Sequence, residues 1–246
     1  MKILLLDIET APNTAHVWGL WNQNVSLNQL MESSYVMCWA AKWLGEKEVM
    51  FDSIMESSHK KMIKGVYELL NQCDSVIHYN GSKFDIPTLN KEFLLLGLTP
   101  PAPYKEIDLL KTSRSRFKFP SNKLDYVAQA LHVGQKVPHH GHELWLQCMG
   151  KDKKAWDIMK KYNKNDVVIL EKVYEKMLGW IANHPNHNNY SYERVCPSCG
   201  SNKLHKRGTA CNLKSVFTRY QCQNCGKWSR ATKRIDQKKS ESNINI

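Results

Sequence analysis

Met1-Lys2-Ile3-Leu4-Leu5-Leu6-Asp7-Ile8-Glu9-Thr10 opens the chain with an aliphatic run that ends in two carboxylates. A short apolar run of this kind reads as a strand buried on both faces at the centre of a mixed α/β sheet. Side chains alternate along a strand, so Asp7 and Glu9 project to the same side, about 7 Å apart along the backbone. Two carboxylates side by side at the end of a core strand repel and are costly to desolvate. A divalent cation between them removes both objections, and the rest of the chain must then supply further oxygen ligands.

The 246 residues suit one domain of about 150–200 residues plus a smaller module. A hydrophobic fraction of 42% is enough for a packed core. No apolar run approaches the roughly 18 residues of a membrane helix, and Asp7 and Glu9 interrupt the first run too early for a secretory signal. The expectation is a soluble, cytoplasmic protein with no membrane partner. The net charge of +12 is unevenly placed: Val195 to Ile246 holds eleven Lys and Arg against Asp236 and Glu241, a balance of +9. A patch like that reads as a footprint for a phosphate backbone. The plainer alternative is a basic tail that only aids solubility.

Taken in order, His16 to Trp21, Tyr35 to Leu44 and Val49 to Phe51 read as strands of a meander, with a turn at Gly45 and Glu46. Ser57 or Ser58 caps a helix running to about Gln72, with Met62, Val66, Leu69 and Leu70 inward. Ser75 to Tyr79 is the next buried strand, ending at Asn80-Gly81, and Phe84-Asp85-Ile86-Pro87 opens a helix. A short strand near Glu106–Leu109 precedes a polar stretch with Arg114, Arg116 and Lys118, and a helix is predicted around Leu124–Leu131. Lys151 to Ile181 reads as one or two helices. The predicted organisation is an α/β domain over 1–182, a linker over 183–194, a cysteine module over 195–234 and a disordered polar tail over 235–246.

Candidates for the missing oxygens exist. Asp85 sits at a strand-to-helix turn, where functional side chains cluster. Asp166 lies on the long predicted helix with Tyr162 four residues earlier, so both face one way. Asp7, Glu9, Asp85 and Asp166 are hard oxygen donors suited to Mg²⁺ or Mn²⁺. Two such ions activate a water and stabilise the leaving oxygen of a phosphodiester. Taken singly, each acid has an ordinary reading as a helix or strand cap, and Tyr162 as a half-buried helix aromatic.

In combination they resemble a known family. Asp7-Ile8-Glu9-Thr10-Ala11-Pro12, His78-Tyr79-Asn80-Gly81-Ser82-Lys83-Phe84-Asp85-Ile86-Pro87 and Tyr162-Asn163-Lys164-Asn165-Asp166 resemble the three motifs of the DEDD 3′→5′ exonucleases, which share the ribonuclease H-like fold. Tyrosine four residues before the last aspartate is similar to the tyrosine branch, as in the proofreading domains of family B DNA polymerases. The three motifs followed by a zinc ribbon also resemble small stand-alone exonucleases encoded by bacteriophages, which would act in the host cytoplasm. The resemblance implies that Asp7, Glu9 and Asp166 hold one metal, that Asp7 also touches a second, and that Asp85 binds the second directly or through water. It implies that Tyr162 orients the attacking water, that Asn80 and Phe84 line the site for the terminal nucleotide, and that polarity is 3′→5′. Thr10, from the first motif, joins these candidate substrate contacts. The substrate it implies is DNA with a 3′ end, or RNA; any replication or repair partner is left unspecified.

A His-rich loop, His139-His140-Gly141-His142, precedes Glu143. A transition-metal site there and loop contacts to substrate phosphate, with Lys136 nearby, are both open readings.

Cys196-Pro197-Ser198-Cys199-Gly200 and Cys222-Gln223-Asn224-Cys225-Gly226 are matching knuckles. Each brings two thiolates to one point, and the spacing predicts a closed, structural Cys₄ zinc site in a zinc ribbon. Cys211, between them, reads as a spare. Arg219, Trp228 and Arg230 are candidates for tracking a backbone and stacking on bases, although ribbon aromatics also serve as core. The expected function is a metal-dependent 3′→5′ exonuclease using two Mg²⁺ or Mn²⁺ and one Zn²⁺. The main rival is a catalytically silent nucleic-acid-binding adaptor; a zinc-ribbon transcription factor accounts for the tail but not for residues 1–180.

Overall fold

The opening aliphatic run forms β1 (Ile3–Thr10) in the computed structural model, which describes residues 1–138 and 141–235. In chain order there follow β2 (Thr14–Ala15), β3 (Leu30–Glu32), β4 (Val36–Trp43), β5 (Met50–Ser53), α1 (His59–Gln72), β6 (Ser75–His78), α2 (Asp85–Leu95) and β7 (Lys105–Asp108). Then come α3 (Leu109–Arg116), α4 (Leu124–Ala130), α5 (His142–Met149) and α6 (Lys153–Met177). Met1–Met177 forms one compact unit and a second begins at Leu178.

The main sheet has the order β5-β4-β1-β6-β7. β4 and β5 join antiparallel, as a meander running out from β1, while β6 and β7 are parallel to it. Leu4, Leu6 and Ile8 pack against Met62, Ile63, Val66 and Leu70 of α1 and Ile86, Leu89 and Phe93 of α2. Full burial of each large aliphatic side chain is worth about 1.5–3 kcal/mol, which holds β1 at the centre. The alternate set, Leu5, Asp7 and Glu9, therefore points to the opposite layer, where α5 and α6 pack. A slip of one residue would exchange the two sets, so the apolar register also dictates where the acids go.

Local signals set the helices. Ser58 Oγ accepts from Lys61 N at the start of α1. Along α6, Trp156, Met159, Tyr162, Asp166, Leu170 and Val173 recur at three- and four-residue spacing and are all buried. The indoles of Trp39 and Trp156 donate to the carbonyls of Met62 and Cys148, each over 2.9 Å, which satisfies both buried N–H groups. The fold is ribonuclease H-like, a mixed sheet flanked by helices. Among the described residues no helix is long and apolar enough to cross a membrane.

Several expectations need correction. His16 to Trp21 is not a strand; only Thr14–Ala15 pairs, with Leu30–Glu32, and Trp18, Leu20 and Trp21 are more than four-fifths exposed. β-propensity measures fit to a covered pleated surface, and among the described residues no strand pairs with Val17 to Trp21. The polar stretch around Arg114 and Arg116 is the end of α3, because Asp108 caps that helix by accepting from Leu110 N and Lys111 N. His142 and Glu143 start α5 instead of lying in a loop, and His139 and His140 fall outside the described residues.

In the second unit, β8 (Leu204–Cys211), β9 (Val216–Cys222) and β10 (Trp228–Arg234) form an antiparallel sheet in the order β10-β9-β8. The stretch expected to be a linker carries a 3₁₀ turn at His187–Tyr190. His187 N donates to Pro197 O and Asn188 exchanges hydrogen bonds with the Val195 backbone, so the turn is part of this unit. Of the tail expected over 235–246, residues 236–246 lie outside the described residues.

Candidate functional site

β1 and β6 pair only from Ile3 to Leu5 against Ser75 to Ile77; β6 ends at His78 while β1 runs on. The gap opens at the carboxyl ends of parallel strands, the edge where α/β sheets bind ligands. There Ile8 N donates to Asp85 Oδ1 over 3.2 Å, which ties Asp85 to the backbone between Asp7 and Glu9.

The turn that delivers Asp85 is built from three polar groups. The buried His78 ring accepts from Gly81 N at Nδ1 over 3.0 Å, so Nε2 carries the proton and donates to Glu106 over 3.1 Å. Asp108 accepts from Asn80 N at 3.0 Å and from Ser82 Oγ at 3.1 Å. Asn80 adopts a left-handed φ of 70°, which asparagine tolerates better than most residues. A Cβ on Gly81 would lie 2.4 Å from His78 Cγ, so only glycine fits under the ring. Phe84, 44% exposed, precedes Asp85 at the start of α2.

From the other layer, α6 brings Asp166, and carboxylate oxygens of Asp7, Glu9 and Asp166 lie within 4.8 Å of one another. Asp85 stands outside that group of three, at the Ile8 amide. Asn163 Nδ2 donates to Asp7 Oδ2 over 2.6 Å. Lys136 Nζ donates to Tyr162 Oη over 2.8 Å and forms an ion pair with Asp166. Expected as a loop contact to phosphate, Lys136 thus reaches into the acid cluster itself. Thr10, half-buried, pairs with Val36 at the end of β1. Asp7, Asn80 and Lys136 line a cavity of about 620 Å³ together with Tyr79, Arg114 and Lys123. Asn163, His78 and Asp108 were not singled out from sequence, although Asn163 lies on the inner stripe of α6 beside Tyr162.

Burial raises Asp7 well above the usual carboxylate range, and Glu9, Asp166 and Asp85 push it further. Burial also lifts Glu9 to about 8 against the opposing charge of Lys136. Asp85 rises to about 6 through burial, with His78 and the Ile8 amide opposing. Burial raises Asp166 while Lys136 restrains it. Tyr162 is driven above its ordinary phenol value by burial and by Asp166 and Glu9. Among the described residues, Asp166 Oδ1 is buried with no hydrogen-bond partner. An acceptor left in that state costs about 1–3 kcal/mol, and a cation would relieve it. Converging, raised, partly orphaned carboxylates fit a hard divalent ion.

In the second unit the sulfurs of Cys196, Cys199, Cys222 and Cys225 also lie within 4.8 Å of one another. The Cys196–Cys225 and Cys199–Cys222 sulfurs are 3.6 Å apart. That is too long for a disulfide and close to the edge of about 3.8 Å that four sulfurs span at 2.3 Å from one ion. Gly200 and Gly226, at φ of 70° and 74°, turn the backbone beneath each pair. The set fits a tetrahedral zinc ion. Cys211 is exposed on β8, outside the cluster. Arg219 lies on β9, and Trp228 and Arg230 lie on β10.

Among solved structures, the chain is similar to the family B DNA polymerase from the hyperthermophilic archaeon Pyrobaculum calidifontis, with a TM-score of 0.55 and 19% identity. The likeness covers 72% of this chain but only 24% of the polymerase, and at that identity it speaks for the fold alone. No curated protein matches the chain in sequence. A family model described as RNase_H superfamily matches residues 4–178, a span holding all of the main sheet but Ile3, together with α6 and every member of the acid cluster. The chain belongs to the RNase H superfamily.

Proposed function

We propose that the chain is a metal-dependent 3′→5′ exonuclease of the tyrosine-bearing DEDD branch, acting on DNA or RNA with a free 3′ end. The observation that carries this reading is the meeting of Asp7, Glu9 and Asp166 within 4.8 Å, with Asp85 bound to the strand between the first two. A fold serving only to dock nucleic acid has no use for such mutually repelling groups.

Asp7, Glu9 and Asp166 are the residues that would hold one Mg²⁺ or Mn²⁺, and Asp7 with Asp85 a second. Such a pair supplies water activation and charge stabilisation at both the attacking and leaving oxygens. Tyr162 is too weak an acid to act as base at neutral pH, which leaves its hydroxyl to orient the attacking water. Asn163 fixes the rotamer of Asp7. Lys136 holds Tyr162 and Asp166 together and lines the cavity where a phosphate would enter. In the step itself a water oxygen bonds to phosphorus as the phosphorus–O3′ bond breaks. Thr10, Asn80 and Phe84 are assigned to the terminal nucleotide. In the domain scheme that goes with this reading, residues 1–182 carry the chemistry, and zinc at the four cysteines supports a ribbon that adds affinity for the strand.

The test uses single-stranded DNA and RNA oligonucleotides, end-labelled and blocked in turn at each end, with Mg²⁺ or Mn²⁺. Native protein is expected to shorten strands from an open 3′ end, and Asp7→Asn to leave them intact. Binding without shortening by both proteins would establish the adaptor instead.

A further inference from the structure

In the second unit two cations stand directly opposite one another. Arg219 on β9 and Arg230 on β10 are register partners across the antiparallel ladder. Directly opposed residues have Cβ atoms about 4.5–5.5 Å apart, and like charges there destabilise a sheet. From Val195 to Ile235 the chain has nine Lys and Arg and no Asp or Glu. Among the described residues no carboxylate forms an ion pair with either arginine. Both side chains are exposed, so the repulsion is left to solvent.

The pair is also framed. The Arg219 guanidinium lies 4.7 Å from the ring centre of Trp228, and that of Arg230 lies 4.1 Å from Phe217. Arg219 Nε donates to Arg207 O over 2.9 Å, which holds the guanidinium in place and leaves its terminal nitrogens for another acceptor. Alternation along β9 and β10 puts Phe217, Arg219, Trp228 and Arg230 on one face. The order across that face is therefore aromatic, cation, cation, aromatic. Trp228 is 46% exposed despite its size.

We propose that this face is a clamp for single-stranded nucleic acid, in which Arg219 and Arg230 share a backbone phosphate while flanking bases stack on Trp228 and Phe217. A phosphate between the arginines removes the repulsion that no described carboxylate relieves, and planar guanidinium groups suit its geometry. Stacking on an aromatic face accepts any base, so the clamp is sequence-tolerant. Duplex DNA, whose bases are stacked internally, offers only its phosphates. The proposal rests on the nucleic-acid reading above and adds where, and in what form, the strand is held.

The experiment measures binding by the full chain, in an Asp7→Asn background so that no strand is cut. Probes are fluorescein-labelled oligo-dT, an abasic strand of equal length, and duplex, each across a series of salt concentrations. Replacing both Arg219 and Arg230 by Gln is expected to weaken oligo-dT binding about 10- to 100-fold. It should also flatten the salt slope by about 0.7, the contribution of the one phosphate that the two arginines share. Trp228→Leu is expected to weaken oligo-dT about tenfold, leave the abasic strand unaffected and keep the slope. Zinc content equal to that of the parent shows that each variant retains its module. Unchanged affinity and slope in the double Gln variant overturns the clamp, and so does equal loss of oligo-dT and abasic binding in Trp228→Leu. If the native chain fails to shorten any strand yet these binding effects appear, the exonuclease reading falls and the clamp stands.

Discussion

The side-chain amide of Asn163 donates to Oδ2 of Asp7 over 2.6 Å and also faces the Asp7 carbonyl over 3.4 Å. One residue of α6 thereby fixes the orientation of an acid on β1, 156 positions away in the chain. Groups that orient ligands set metal affinity nearly as strongly as the ligands do. Asn163→Ala is expected to weaken Mn²⁺ binding about 10- to 100-fold, read by calorimetry without nucleic acid. An isotherm matching the native protein would show that Asp7 needs no such support.

The carboxylates make stability depend on pH when no divalent ion is present. Burial raises Glu9 to about 8 and Asp85 to about 6, both above their unfolded values near 4. In that interval the folded chain binds more protons than the unfolded one, so ∂ΔG/∂pH is negative. The contribution is complete below about pH 4 and is lost as pH rises through about 6 and then 8. The melting temperature of protein without added Mg²⁺ or Mn²⁺ is expected to fall from mildly acidic to mildly alkaline buffer. Added Mg²⁺ should restore more at the alkaline end. A flat or opposite trend in thermal melts would contradict this.

Gly81 lies under the His78 ring with no room for a methyl group. Gly81→Ala should force the ring or the turn to move, costing about 1–3 kcal/mol by urea denaturation. Because the same turn launches Asp85 toward the Ile8 amide, Mn²⁺ affinity is expected to fall as well. Gly97→Ala, at a position with open space around it, tests φ strain without a clash and should be milder for metal binding.

Replacing Cys196 and Cys199 by Ser leaves two thiols for an ion that prefers four ligands. The variant is expected to lose zinc and to become protease-sensitive beyond Leu178, while Mn²⁺ binding at the acid site persists. Loss of the acid site together with zinc would instead show that the two units fold as one.

Parts of this arrangement are legible without coordinates. The run Ile3–Leu6 can only be central, because large aliphatic side chains on alternating faces need cover on both sides. The periodic stripe of α6 put Tyr162 and Asp166 on one face. The cysteine knuckles are legible because spacing alone brings two sulfurs together. Other parts misled. His16–Trp21 has strand composition, yet among the described residues no strand pairs with Val17 to Trp21, and Trp18 and Trp21 stand exposed. Arg114 and Arg116 stand in a polar stretch to which the sequence assigns no element, and one cap, Asp108, makes their segment helical.

By itself the sequence determined which side chains share a face, since that follows from two- and 3.6-residue periods, and which sulfurs form pairs. Only the tertiary structure decided that β6 stops short beside β1, leaving the gap Asp85 fills, and that Lys136 and Asn163 reach the acids from separate elements. It likewise decided that Arg219 meets Arg230 across a ladder. These relations depend on where strands end and on register between distant segments, which come from packing the whole chain and not from any local stretch.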